Sequence, residues 1–223
     1  IDALRRGTVP NQGLESFAVE LDRFAPAIDS DLDLVKSGGS AFKAVRGEYG
    51  SGKTFFVRWL QERAKQRGFA AAEVQISETE TPLHKLETVY RRFMERLSTG
   101  SSQPGAFREI IDAWFYTLEE DVLAAGDMDS LNERQLMEAT SDLMEKRLSS
   151  VSRNAPAFAA ALRAYRQAML ENDIALSEGM ISWLTGQPHV TANIKRIAGL
   201  KGEVDHFAAL SFLQGLLVVL RDS

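Results

Sequence analysis

The 223-residue chain has no cysteine and only three histidines. A disulfide framework, a thiolate zinc site and a cysteine nucleophile are therefore excluded. His84, His189 and His206 are far apart in the sequence and lack the spacing of metal ligands. The absence of cysteine fits a reducing compartment, so we expect a cytoplasmic protein.

Long apolar runs are also missing. The longest, from Phe207 to Leu220, is interrupted by Ser211 and Gln214 and is too short to cross a bilayer. We therefore expect no membrane association. With 44% hydrophobic and 26% charged residues, the composition is that of a folded globular protein that can bury a core without disulfides.

The second half of the chain lacks basic charge. Residues 1–100 carry 15 Lys and Arg against 14 Asp and Glu, whereas residues 101–223 carry 11 against 17. Sequence-independent DNA binding needs a basic face, so the acidic second half argues against a large DNA footprint there. A local basic patch could still contact DNA, which stays a candidate partner.

One eight-residue segment carries most of the chemical information. It matches G-x-x-x-x-G-K-[ST], the phosphate-binding pattern called the P-loop. Its residues are Gly47, Glu48, Tyr49, Gly50, Ser51, Gly52, Lys53 and Thr54. The backbone N–H groups of such a loop surround phosphate, and a helix N-terminus adds positive dipole. We expect Lys53 to contact the β- and γ-phosphates and the Thr54 hydroxyl to bind a Mg²⁺ ion held by the nucleotide. The alternative interpretation is a glycine-rich turn between a strand and a helix.

The pattern around this segment predicts an α/β unit followed by helices. Residues 42–46 and 70–77 are predicted strands on either side of a helix over 54–67, which is the βαβ order of a parallel sheet. Thr81 and Pro82 are expected to open the next helix. Further helices are predicted at 105–125, 131–153, 156–171, 174–185, 190–198 and 204–221, with Ser130 and Glu133 as a capping box. We expect two domains, an N-terminal arm with the P-loop part (1–98) and a helical insertion or bundle (99–223).

A complete P-loop ATPase also needs an acidic residue at the end of another strand. Glu73, Glu78 and Glu80 lie in or after the second predicted strand, although loop or capping roles explain them more simply. No other apolar segment that could form a strand ends in an acidic residue. We therefore expect the acidic Walker B half of the site beyond this chain, and the sequence assigns no catalytic residue and leaves hydrolysis open.

Weaker signals lie elsewhere in the chain. Residues 5–10 could be an arm that contacts adenine, and residues 174–198 resemble a helix-turn-helix whose second helix carries Lys195 and Arg196. Two packed helices of a bundle explain the latter equally well. Three arginines after the second predicted strand could contact phosphate or a neighbouring subunit but fit a solvated helix face better: Arg91, Arg92 and Arg96. Three tryptophans fit a core: Trp59, Trp114 and Trp183.

Several segments of the first 98 residues resemble the BrxD family of ATP-binding proteins from bacterial BREX phage-resistance systems. They are residues 5–10, 13–15, 42–56, 75–83 and 89–97. The resemblance implies an incomplete AAA+-like P-loop ATPase core with a large all-α insertion, mostly helical overall, that binds ATP and Mg²⁺ in antiviral defence. It assigns nucleotide binding to Gly47–Thr54 and places the Walker B segment after residue 223. It also implies other phage-defence proteins as partners and makes self-association plausible.

Two other functions compete with this one. The helical region could be a partner- or DNA-binding interaction module in which the P-loop is a regulatory or structural element, as the missing Walker B acid suggests. A small-molecule kinase would also use a P-loop, but such enzymes are α/β through most of their length, whereas the strand signal here ends near Ser77. A strand-rich protein would favour the kinase.

Overall fold

A computed structural model describes residues 13–125 and 132–222. These residues form two compact units, each considered by itself below. The first unit contains residues 13–71 and 99–101, and the second contains residues 72–98 and 102–222.

The described residues are mostly helical. The first unit has two short 3₁₀ helices, Leu14–Phe17 and Leu21–Arg23, followed by α1 (Ala25–Lys36) and α2 (Lys53–Gln66). The second unit contains the helices α3 (Leu86–Arg96), α4 (Phe107–Ala125), α5 (Glu133–Asn154), α6 (Pro156–Leu170), α7 (Ile174–Leu184), α8 (Ala192–Ile197) and α9 (His206–Asp222). None of the helices in these described ranges is both long and apolar enough to cross a membrane.

The first unit closes around a small core. Leu14, Ile28 and Trp59 are its buried centre, and partly buried residues such as Phe55 and Phe56 pack against them. Because Ile28 lies on α1 and Trp59 on α2, this core joins the two helices. Trp59 is therefore a core residue, as predicted.

The second unit is a helical bundle with an aromatic centre. Phe212 of α9 packs against the rings of Phe158, Trp183 and Tyr90 at centroid distances of 5.3, 5.4 and 6.0 Å. Trp114 and Trp183 are 0% and 2% exposed, so their predicted core roles are confirmed. The Tyr90 hydroxyl donates to the Leu184 carbonyl oxygen at 2.5 Å, and burial raises the pKa of this tyrosine well above its usual value.

The two predicted strands do not form in the described part of the chain, which contains no β-strand. Residues 42–46 are irregular, with Phe42 91% exposed. Residues 72–77 are also irregular, and the Ser77 hydroxyl accepts the backbone N–H groups of Glu80 and Thr81 in a tight turn. A strand needs a neighbour to satisfy its backbone groups. Local β-propensity therefore does not make either segment a strand, and an α/β core is not seen.

One predicted helix start is wrong, and a second helix has a different capping box from the predicted one. The helix expected at Thr81 and Pro82 begins at Leu86, because the Lys85 N–H bonds to the Pro82 carbonyl in a separate turn. The capping box of α5 is formed by Asn132 and Gln135, which exchange two hydrogen bonds of 2.9 Å, rather than by Ser130 and Glu133. Ser130 itself lies outside the described residues. The other predicted helices end within a few residues of their expected bounds.

Candidate phosphate-binding site

The glycine-rich segment forms a loop that leads directly into α2. Residues 47–52 are a turn without regular structure, and α2 begins at Lys53, one residue before the predicted range of 54–67. The whole motif lies in the first unit. A loop followed at once by a helix N-terminus is the placement that phosphate binding requires.

Two glycines give the loop its path. Gly50 and Gly52 have φ angles of +82° and +83°, in the left-handed region. A side chain at either position would be strained even though no atom lies within 4 Å of a Cβ placed there. These two positions therefore explain why the motif needs glycine, and they leave open space beside the backbone.

The Lys53 side chain folds back over the loop. Its Nζ atom donates to the carbonyl oxygens of Gly47 and Glu48, both at 2.7 Å, and lies 3.5 Å from the Ser51 hydroxyl. These acceptors are neutral dipoles of an exposed loop. The ammonium group is thus held at the loop by weak partners that an anion with full negative charge would outcompete.

The first turn of α2 presents unpaired backbone donors. The first helical hydrogen bond runs from the Phe56 N–H to the Gly52 carbonyl at 2.9 Å. The N–H groups of Lys53, Thr54 and Phe55 come before it and have no acceptor within the helix. Gly52 is the N-cap and has no side chain to cap them. The helix end therefore offers donors and positive dipole to an anion.

The remaining motif side chains are exposed. Tyr49 is fully exposed, and Ser51 and Thr54 also face solvent. A Cβ on Gly47 would approach the Ser51 hydroxyl to 2.5 Å, so the loop is tight at this point. The structure thus brings all eight predicted residues together in one accessible loop and helix end.

The described residues contain no separate metal site. No group of three or more His, Asp and Glu side chains within 13–125 and 132–222 could hold a metal ion. The exposed Thr54 hydroxyl fits Mg²⁺ as one protein ligand, and phosphate oxygens would have to supply others. Glu78 and Glu80 lie in the turn after Ser77 in the second unit, not at the end of a strand.

Two side chains that sequence reasoning missed hold α2 in place. Glu62 accepts the backbone N–H groups of Gly13 and Leu14, each at 2.9 Å, and so ties α2 to the first 3₁₀ helix. Arg63 donates two hydrogen bonds to the Asp29 carboxylate on α1, at 2.7 and 2.6 Å. The adjacency of Glu62 and Arg63 on an amphipathic helix is the only signal for this anchoring in the sequence.

The ion pair of Asp29 on α1 with Arg63 on α2 shifts the pKa values of both side chains. Hydrogen bonding to Arg63 lowers the pKa of Asp29 below its usual value, and Arg67, 3.0 Å from the same carboxylate, adds to the effect. The same contact raises the pKa of Arg63. The Asp29–Arg63 pair therefore holds α2 against α1 at neutral pH.

The weaker predicted signals are placed as follows. Lys195 of α8 pairs with Glu203 at 2.9 Å, which reduces the charge that this helix offers to a DNA backbone, whereas Arg196 donates to the neutral Asn193 amide at 2.8 Å and keeps its charge. A Cβ on Gly179 would meet the Ile194 side chain at 2.5 Å, so α7 and α8 are closely packed helices. Arg92 pairs with Glu95 on the surface of α3, and residues 5–10 lie outside the described residues.

Comparison with protein families identifies the chain. The family model described as BREX system ATP-binding protein BrxC/D matches residues 1–223, the whole length of the sequence. The chain belongs to this family. Comparison with curated proteins and comparison with solved structures gave no match. Membership of the BrxC/D family confirms the resemblance found in the sequence, and the description of that family is of ATP-binding proteins.

Proposed function

We propose that this BrxC/D chain binds ATP with Mg²⁺ through Gly47–Thr54. The observation that supports the proposal most strongly is the coincidence of three features at one place. The left-handed glycines open the loop, the Lys53 ammonium lies over it, and the uncapped start of α2 faces the same exposed end. A triphosphate supplies the dense negative charge that these groups suit.

Each group has a distinct role in this proposal. The loop N–H groups and the start of α2 surround the β-phosphate, and Lys53 leaves the carbonyls of Gly47 and Glu48 to contact the β- and γ-phosphate oxygens. The Thr54 hydroxyl joins the Mg²⁺ that the phosphates bring with them. Glu62 and Arg63 act indirectly, because they fix the helix that carries the loop.

We further propose that the loop belongs to a AAA+-like core used in phage defence, together with other defence proteins. The exposed Phe42 and Val45, 91% and 48% accessible, support the idea that residues 42–46 join a sheet when a neighbouring strand is present. The acid that would polarise the attacking water is proposed to come from a Walker B segment outside this chain. Binding is thus assigned to these residues, and hydrolysis is not.

A thermal-shift titration with Mg-ATP tests nucleotide binding. At about one hundred times its dissociation constant a ligand stabilises the folded state by about 2.7 kcal/mol, which is a rise of about 5–10 °C for a chain of this size. The Lys53→Ala variant should lose most of that rise. Lys65→Ala, at the other end of the same helix, should keep it and is the matched control.

Two further outcomes decide the proposal. Thr54→Val should retain a shift with ATP but respond less to added Mg²⁺, because only the metal contact is removed. No shift in the wild-type chain, or an equal shift in Lys53→Ala and Lys65→Ala, would contradict the assignment of the loop.

A further inference from the structure

One segment of the second unit is basic, although the sequence around it is acidic. Residues 101–223 carry 17 acidic residues against 11 basic ones, yet residues 185–202 contain Lys195, Arg196 and Lys201 and no acidic residue. This segment consists of the turn after α7, the short helix α8 and the loop that follows α8. A local excess of cations on an acidic protein is a candidate contact for a polyanion.

Contacts with α3 place another cation beside this segment. A Cβ on Gly186 would lie 3.6 Å from the Cβ of Arg91, and the Gln187 amide donates to the Glu95 carboxylate at 3.4 Å. Arg91 has no hydrogen-bond or ion-pair partner among the described residues. The structure therefore brings together two signals that are far apart in the sequence, an arginine of α3 and the helix pair α7–α8. We call Arg91 and residues 185–202 the α8 surface.

The inner face of α8 is fixed, whereas its outer face is accessible. Ile194 packs on α7, where a Cβ on Gly179 would meet its side chain at 2.5 Å. Because successive residues of a helix are about 100° apart, Ala192 and Arg196 lie on the opposite side with Asn193 beside them, and all three are exposed. Arg196 donates to the Asn193 side-chain oxygen at 2.8 Å, so the two polar side chains of this face are held next to each other.

We propose that the α8 surface binds duplex DNA, with the outer face of α8 in the major groove and with Arg91 and Lys201 on flanking phosphates. Arginine and asparagine are side chains that read the edges of guanine and adenine in that groove. The order of α7, turn and α8 is that of a helix-turn-helix, whose second helix enters the groove. The turn, residues 185–191, is longer than the usual length of about three or four residues, and its contacts with α3 hold it in place. The proposal does not depend on nucleotide binding at Gly47–Thr54.

The side chains of the α8 surface favour DNA over an acidic protein as the partner. Lys195 is neutralised by Glu203, which leaves the other three cations of the surface for a partner. Exposed hydroxyl and amide side chains such as Thr191 lie among them, and DNA phosphates are contacted by the same residue types. A protein interface needs an apolar centre. Ile197, 56% exposed, is the only large apolar side chain exposed in residues 185–202.

Fluorescence anisotropy with a labelled duplex of about 20 random base pairs, two helical turns, tests the proposal at low salt. The wild-type chain should bind, and Arg196→Gln should weaken binding by about tenfold. Lys201→Gln and Arg91→Gln should each weaken it by about threefold, because each removes one phosphate contact. Arg153→Gln removes the same charge from an exposed position on α5, outside the α8 surface, and should bind as the wild type does.

The salt dependence gives a second readout. With two or three cations displacing counterions, the slope of log K against log salt should be about −2 to −3 for the wild type and shallower by about one for Lys201→Gln. Because the substituted side chains lie at the surface, circular dichroism of all variants should show unchanged helix.

Three results would overturn the proposal. The first is a wild-type chain that does not bind the duplex at low salt, and the second is an Arg196→Gln variant that binds as tightly as Arg153→Gln. The third is displacement of the duplex by poly-glutamate at an equal concentration of charges, which would assign the α8 surface to an acidic protein instead.

Discussion

The two units of the chain differ in whether their aromatic residues gather at one buried centre. The helical unit encloses Trp114, Trp183 and Phe212, none of which is more than 2% exposed. The first unit buries Trp59 but leaves Phe42, just before the glycine-rich loop, and Tyr49, within it, almost fully exposed. One unit therefore has a core that can sustain it, whereas the other keeps backbone donors and apolar side chains open around a loop. We expect the loop of the first unit to open locally at a lower free energy than the bundle unfolds.

The largest effect is expected at the aromatic centre of the bundle. Phe212→Ala removes contacts with three other rings and leaves a cavity, so the free energy of unfolding should fall by about 3–5 kcal/mol. Phe207→Ala on the same helix removes an 83% exposed ring and should change the free energy of unfolding by less than about 0.5 kcal/mol at low protein concentration. Denaturant unfolding measures both. Equal effects would mean that the bundle is not centred on Phe212.

A smaller loss is expected where two helices of the bundle touch. A Cβ on Gly215 would lie 2.7 Å from the Phe158 ring, so Gly215→Ala should overpack the contact between α9 and α6. We expect a cost of about 1–3 kcal/mol, reduced by the better helix propensity of alanine. Gln214→Ala, at the exposed neighbouring position, serves as the control in the same unfolding experiment. A stabilised Gly215→Ala protein would show that the contact is looser than described.

The anchoring of α2 should be measurable as an effect confined to the amides of the first unit. Glu62→Ala leaves the N–H groups of Gly13 and Leu14 without their acceptors and should destabilise this unit by about 0.5–2 kcal/mol. Glu62→Gln keeps one acceptor oxygen and should lose less. Hydrogen exchange of the first-unit amides reports the difference, while amides of the bundle should not change. Faster exchange in both units alike would contradict a local role for Glu62.

The smallest effect is a pH dependence that each unit should show through one ion pair. Hydrogen bonds from Arg63 lower the pKa of Asp29 in the first unit, and hydrogen bonds from Arg163 lower the pKa of Glu145 in the second. A carboxyl whose pKa is lower in the folded state stabilises it above the unfolded pKa, about 4. That contribution is lost as the pH falls through the folded value.

Charge-removing variants test this pH dependence. The difference in Tm between wild type and Asp29→Asn, or between wild type and Glu145→Gln, should therefore be largest near neutral pH and shrink below about pH 4. Thermal melts from pH 7 to pH 3 measure it. A difference that grows towards acid would contradict the direction of the pKa shifts.

The helices and the turn of the glycine-rich loop were predictable from the sequence because their signals are local. Apolar spacing and caps such as Gly68, with a φ of +86° after α2, act within one or two turns. The motif likewise specifies its own turn through Gly50 and Gly52. The start of α2, within one residue of the predicted Thr54, and the core roles of the three tryptophans followed from the same signals.

The predicted strands failed because a strand depends on distant partners. Residues 42–46 have strand-like side chains, but no neighbouring strand is present among the described residues to satisfy their backbone groups. The contacts of Glu62 with Gly13 and of Arg63 with Asp29 could not be predicted for a related reason. They join residues 34 or more positions apart, and a single sequence does not say which acid meets which base.

The most direct test of the nucleotide site is residue-resolved hydrogen exchange with and without Mg-ATP. Binding at Gly47–Thr54 predicts slower exchange of the loop amides and of the N–H groups of Lys53, Thr54 and Phe55, which lack helical acceptors in the free chain. Lys53→Ala should remove this protection, and amides of the bundle should be little affected. Unchanged exchange at these residues while Mg-ATP is bound would contradict the account.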